Sequence, residues 1–177
     1  MKTLLRILLG IVVVIVLVVA VVYLDGMTLP VNHSTTVTQT MNASPDKVFA
    51  QITNVAAGAT WRPGVKGVTL LPPDNGRDHW VEDLGHGQTM TFLAVKSEAP
   101  TGGVAERDVL LDVPGATYGG TWTYKLSPGP IPGTTTLSIT EAGFINPPLD
   151  RFMMHHIFGM DYNIHTYFKD LNNALKS

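Results

Sequence analysis

From Ile7 to Leu24 the chain runs for 18 residues without a charge, and nearly all of them are Val, Ile or Leu. Wound into a helix, such a run spans roughly 27 Å, close to the hydrocarbon thickness of a bilayer. It reads as a transmembrane helix. Lys2 and Arg6 precede it and Asp25 follows it. The positive-inside rule then places residues 1–6 in the cytoplasm and everything after residue 24 outside, in a periplasmic or extracellular space. The alternative is a cleaved signal peptide, but the apolar core is long for one and no clear A-x-A site follows. We read residues 7–24 as an uncleaved signal anchor, residues 25–33 as a linker, and residues 34–177 as one domain, long enough for a proper core.

Beyond Lys2 and Arg6 the chain carries 10 basic residues against 14 acidic ones, a formal charge of −4. No basic stripe survives, which excludes the usual electrostatic footprint of a nucleic-acid binder. Cysteine is absent, so the domain uses neither disulfides nor thiolate chemistry.

The domain's pattern is mostly that of strands. Thr35–Met41 alternates, with Val37, Gln39 and Met41 on one parity and threonines on the other. Ser44-Pro45 opens a short helix, Ser as N-cap and Pro in the first turn, and a second short helix or turn covers Ala56–Trp61. Strand candidates follow at Val65–Leu71, Asp78–Leu84, Gln88–Lys96, Val104–Val113, Tyr118–Leu126 and Thr134–Gly143, each ended by Pro or Gly. Short strands punctuated in this way, with little helix between them, indicate an antiparallel meander.

From Asn146-Pro147 the period changes. Leu149, Met153, Ile157, Met160, Ile164, Phe168, Leu171 and Leu175 recur at steps of three and four, one face of a long amphipathic helix, with a bend or close packing expected at Gly159. The fold class is therefore α+β: a curved seven-stranded antiparallel sheet, two short helices after its first strand, a long C-terminal helix to cover its apolar face, and one N-terminal membrane helix.

The phrases MNASPDKVFAQITN, WRPGVKGVTLL, GGTWTYKLSP and TTLSITEAGFINPPLDRFMMHHIFG resemble the START-like helix-grip superfamily, in its SRPBCC or polyketide cyclase/dehydrase-like branch. The likeness covers nearly all of residues 34–177. It implies a sheet that grips the C-terminal helix and a cavity between them for lipids, sterols, polyketides or other apolar ligands. Some members catalyse cyclisation or dehydration, and others only carry or sense a ligand; the fold does not settle which. The membrane anchor departs from the family's usual soluble form.

Glu141 shares parity with Leu137 and Ile139, so an apolar face ends in a carboxylate. Facing a cavity, it would have a raised pKa and serve as a general acid or as a hydrogen-bond partner for a ligand. At a strand end it would reach water or pair with Arg151 or Arg62. Glu82 shares parity with Trp80 and Leu84 and is either a second cavity carboxylate or an exposed one, the exposed position being the safer expectation. His156 falls on the helix's apolar face as a cavity acid or base, or as a packed histidine. Trp61 and Arg62 stand at a rim, with Arg62 able to meet an anionic head group. Trp80, Met90, Phe92, Trp122 and Tyr124 read as lining from the sheet, and Met153, His156, Ile157 and Met160 as lining from the helix. His155, His156 and His165 share no helix face, so no metal site is expected, and no nucleotide-binding or nucleophile-elbow motif occurs. No cofactor is expected.

The leading expectation is a membrane-anchored binding protein for a hydrophobic small molecule or lipid. One alternative is a cyclase- or dehydratase-type enzyme using Glu141 with Glu82 or His156. Another is an interaction domain whose cavity is filled by Trp61, Trp80, Trp122, Phe92 and Met153. Protein partners are not legible in the sequence.

Overall fold

Alternating strands separated by turn residues have one economical arrangement, a meander in which each strand pairs with the next. The structure, a computed structural model, describes residues 2–113 and 115–176. Its strands are β1 (Asn32–Met41), β2 (Gly67–Leu70), β3 (His79–Gly85), β4 (Gln88–Thr101), β5 (Val104–Leu111), β6 (Tyr118–Pro128) and β7 (Thr135–Ile145). β2 to β7 follow one another across a single antiparallel sheet, and β1 lies at the far edge beside β7. Two short helices, α2 (Pro45–Thr53) and α3 (Gly58–Trp61), with a 3-10 turn between them, link β1 to β2. Ser44 caps α2 as expected, its hydroxyl accepting the Lys47 N–H, with Pro45 as the first helical residue.

Register places the inward residues of neighbouring strands opposite each other. Trp122 faces Glu141, Tyr124 faces Ile139 and Leu126 faces Leu137. On the outward face of β1 the threonines pair across the strands: Thr36 with Thr140 and Thr38 with Ser138, each at 2.8 Å. Such pairs contribute about 0.2–1 kcal/mol each. On β3, Trp80 and Glu82 lie opposite Phe92 and Met90. Both point inward, which corrects the exposed position expected of Glu82, whose exposure is only 4%.

The single C-terminal helix expected from the period is in fact broken. α4 (Pro148–Met153) passes into a π turn at Met154–Phe158, the chain turns at Gly159 with φ 89°, and α5 (Tyr162–Lys176) follows. That positive φ is easily reached only without a side chain. On α5, Ile164, Phe168, Leu171 and Leu175 are buried in one cluster with Met41, Val48, Leu126, Leu137 and Ile139. Each such side chain contributes about 1.5–3 kcal/mol by leaving water. The apolar face does not extend back through the break, and Leu149 and Ile157 are exposed.

The N-terminal helix α1 (Lys2–Thr28) is the one helix among the described residues long and apolar enough to cross a membrane. It continues into the segment expected as a linker, and only Leu29–Val31 separate it from β1. Its end is fastened to α4. The buried Arg151 donates from Nε to the Gly26 carbonyl at 2.8 Å and from Nη1 to the carbonyls of Ile145 and Asn146 at 3.1 and 2.5 Å. His156 Nε2 lies 2.9 Å from Asp25 Oδ2. Gly26 packs so closely that a Cβ there would fall 2.0 Å from the Pro148 carbonyl oxygen.

Because that obstacle is backbone, Gly26→Ala should lift α1 away from α4. Amide exchange over 148–153 should then quicken by about tenfold, equivalent to ~1.4 kcal/mol of lost local stability, while the sheet amides keep their protection. Unchanged exchange in the full-length variant would show that the two helices are not clamped.

Candidate functional site

The inward face of the sheet, α3 and the C-terminal segment enclose a cavity of about 590 Å³. Its sheet wall includes Trp80, Leu84, Met90, Phe92, Val109, Leu111, Trp122 and Tyr124, and α3 and the residue after it supply Trp61 and Arg62. Met154 and Met160 come from either end of the π-turn region, while Asn163, Thr166, Tyr167 and Asp170 form the stripe of α5 that faces the hollow. Tyr167 is the hub of the aromatic wall, with its ring centroid 5.4 Å from Trp61, 5.7 Å from Trp122 and 5.6 Å from Tyr124. Across the cavity Trp80 stacks on Phe92 at 5.5 Å. Such contacts add about 0.5–1.5 kcal/mol each beyond burial and hold the wall rigid. Burial pushes the Tyr167 hydroxyl up to about 12, and it pushes Tyr124 well above the ordinary tyrosine value, so both remain protonated.

The arginines of the cavity are paired. Arg62 grips Glu82 with both terminal nitrogens, at 3.1 and 2.5 Å, and the Trp80 indole N–H donates to the same carboxylate at 3.0 Å. Burial alone would lower the Arg62 guanidinium, but the contacts with Glu82 outweigh it and raise it. Arg107, which is 1% exposed, bonds Asp78 at 3.2 Å and Ser97 at 3.0 Å and lies 5.9 Å from the centre of the Trp80 ring. At the β1–β7 edge the His33 imidazole stands 3.6 Å from Glu141. Burial raises the Glu141 carboxyl above the usual range, while His33 and the Trp122 indole pull it partly back. Four buried polar atoms on these residues have no hydrogen-bond partner in the protein: His33 Nδ1, Trp61 Nε1, Arg62 Nε and Glu141 Oε2.

Of the residues expected to line a cavity, Trp61, Arg62, Trp80, Met90, Phe92, Trp122, Tyr124, Glu141 and Met160 do so, and Glu82 joins them. The large aromatics wall a hollow rather than fill it. Met153, His156 and Ile157 do not line it. The helix break turns them elsewhere: Ile157 and His156 lie on the surface, and His156 pairs with Asp25. Neither expected arginine meets Glu141, because Arg62 is taken by Glu82 and Arg151 by backbone carbonyls. His33, Arg107 and Tyr167 were missed. Reading residues 25–33 as linker hid His33, which continues the inward parity of β1. Arg107 shares parity with Ala105 and Val109, and a cation at apolar parity was the available signal. Tyr167 precedes Phe168 on α5 and faces the flank of its apolar stripe. Among the described residues no group of His, Asp and Glu side chains converges on a metal-sized site.

Removing one partner of a buried ion pair leaves the other uncompensated. Glu82→Ala should therefore cost about 3 kcal/mol, or roughly 6–12 °C in Tm. The double variant Arg62→Met, Glu82→Met should regain most of it in urea unfolding. A double variant no more stable than the single would show that the two are not coupled. For Glu141 the folded pKa is raised, so its contribution to stability is full below the unfolded value and is lost as pH rises through the folded one. Glu141→Gln should remove that loss. Its stability relative to the parent should improve as pH rises above the ordinary carboxylate range, and parallel profiles would contradict the assignment.

Comparison with known proteins agrees with this architecture. No curated protein sequence matches the chain. An aromatase/cyclase, Zhui, from Streptomyces superposes with a TM-score of 0.62 at 15% identity, covering 82% of this chain and 94% of its own. A START superfamily protein from Mycobacterium smegmatis gives 0.59 at 17% identity, covering 81% and 97%. Truncated norcoclaurine synthase from Thalictrum flavum gives 0.60 at 10% identity, covering 82% and 94%. At these identities the likeness is one of fold, a START-type helix grip. Residues 32–163 match the family model described as polyketide cyclase / dehydrase and lipid transport, and with most of its length inside that match the chain belongs to this family.

Proposed function

We propose that the protein is a membrane-tethered binding protein for a hydrophobic small molecule or lipid, held between the sheet and the C-terminal helices. The observation that carries this reading is the cavity of about 590 Å³, walled by aromatic and aliphatic side chains with a few convergent polar atoms. Sites of this size and lining suit apolar ligands oriented by a small number of hydrogen bonds. Arg62 with Glu82, Arg107 with Asp78 and His33 with Glu141 are each already partnered. An anionic ligand would find no free arginine there. A neutral polar group on an apolar body fits better, meeting the Trp61 indole N–H, His33 Nδ1 or Glu141 Oε2. The tether is α1, with Lys2 and Arg6 on the cytoplasmic side and the domain outside.

A second reading is favoured by one feature, the His33–Glu141 pair facing the cavity. An imidazole beside a carboxyl of raised pKa is equipped for proton transfer to and from a bound ligand, and the structural neighbours named above include a cyclase and a synthase.

Native mass spectrometry of the full chain, extracted gently from membranes, should show a bound mass that is lost on denaturation. Leu111→Trp, which places an indole in the hollow, should abolish that mass and weaken an apolar fluorescent probe by about tenfold or more, ~1.4 kcal/mol. Bare protein that also refuses the probe would overturn the binding reading. If the bound compound is chemically altered on incubation with the parent chain and unaltered with His33→Ala, the enzymatic reading replaces it.

A further inference from the structure

We propose that the face formed by α4, the π turn and the start of α5 lies on the bilayer that α1 crosses, with Ile157 and Phe158 inserted among the lipid head groups. The inference rests on reading α1 as a membrane span and does not depend on what occupies the cavity.

The apolar run of α1 ends at Leu24, so Asp25 and Gly26 stand where the hydrocarbon gives way to head groups. Whatever touches those two residues stands at the same depth. His156 touches Asp25 at 2.9 Å, and Pro148 and Arg151 pack on Gly26. The neighbours of these contact residues in the chain are apolar and unprotected: Leu149 beside Pro148 is 52% exposed, and Ile157 and Phe158 beside His156 are 58% and 48% exposed. Phe158 meets Tyr162 in a tilted contact, with ring centroids 5.7 Å apart, and Tyr162 is itself half exposed. Tyr23 lies one residue before the end of the apolar run and is also half exposed. Aromatic side chains with a polar tip favour that interfacial depth.

Only three residues separate α1 from β1, and the clamp at Gly26 removes the slack that would let the domain stand away from the membrane. Exposed large apolar side chains grouped around the foot of a membrane helix have one partner of matching chemistry already beside them, the lipid surface. Arg151 is buried in the clamp, and no Lys or Arg adjoins Ile157 or Phe158 in the sequence. Seating therefore rests on apolar area, not on attraction to anionic lipid. Asp150, Met154 and Met160 line the cavity from this same segment, so this part of the cavity wall is brought close to the bilayer.

The chain has no cysteine, so single-cysteine labelling is clean. Ile157→Cys and Phe158→Cys, each carrying an environment-sensitive fluorophore, would be compared in the full chain reconstituted into phosphatidylcholine vesicles with shallow doxyl-labelled lipid. Ile131→Cys, exposed in the β6–β7 turn, reports water, and Val14→Cys reports the span. Labels at 157 and 158 should shift to the blue, lose intensity to doxyl lipid and resist aqueous iodide, equally at low and high salt. The label at 131 should do none of these. Iodide quenching at 157 and 158 equal to that at 131 would overturn the proposal. Protection from iodide without doxyl quenching would overturn it in favour of a protein contact, a second copy or another partner. A label at 14 quenched by aqueous iodide as strongly as the label at 131 would remove the span, and the proposal with it. None of these outcomes depends on ligand binding, so a failure here is distinct from a failure of the binding reading.

Discussion

The width of the sheet against the width of its cover governs the rest of this structure. Seven strands about 4.8 Å apart make a sheet roughly 29 Å across, while one helix is about 10–12 Å in diameter. A single terminal helix cannot cover a flat sheet of that width. The sheet curls, α5 packs tightly only through Ile164, Phe168, Leu171 and Leu175, and α2 and α3 close part of what remains. The leftover space is lined by the strands' inward side chains, including Trp80, Phe92 and Trp122. The hollow is thus a consequence of topology rather than of missing side-chain volume.

A hollow of this kind changes the meaning of the charges that reach it. In a solid core a carboxylate would be costly without a complete set of partners. Here Glu82 is satisfied by Arg62 and the Trp80 indole, and Arg107 by Asp78 and Ser97. Glu141 is satisfied only in part, with His33 at 3.6 Å, and that incompleteness makes the β1–β7 edge the chemically open end of the cavity. The aromatic hub around Tyr167 supplies the opposite property, a wall that is rigid and whose hydroxyls stay protonated.

The chain's own continuity ties this domain to α1. Arg151 satisfies three carbonyls at once, one of them on α1, and the absence of a side chain at Gly26 lets the two backbones approach. The same short segment, α4 and the π turn, both fastens the helix and contributes Asp150 and Met154 to the cavity wall. Changes in one are therefore mechanically linked to the other.

Much of this was legible in the residues. Alternation and Pro/Gly punctuation determined all seven strands and the side of the sheet on which Trp122, Tyr124 and Glu141 sit, because a strand's side-chain period is set by its backbone. The uncharged run from Ile7 to Leu24 determined a membrane-length helix, because length and hydropathy alone decide that. Three things were left to the tertiary structure. The break at Gly159 places His156 and Ile157 on the surface instead of in the expected lining, since helical periodicity cannot register a change of axis. The partners of Glu82 and Glu141 depended on residues distant in sequence, with Arg62 reaching Glu82 across 20 positions and His33 reaching Glu141 from the opposite end of the domain. Arg107 became a buried cation only because Asp78 and Ser97 converge on it. Local sequence specifies which way a side chain points, and only packing specifies what it finds there.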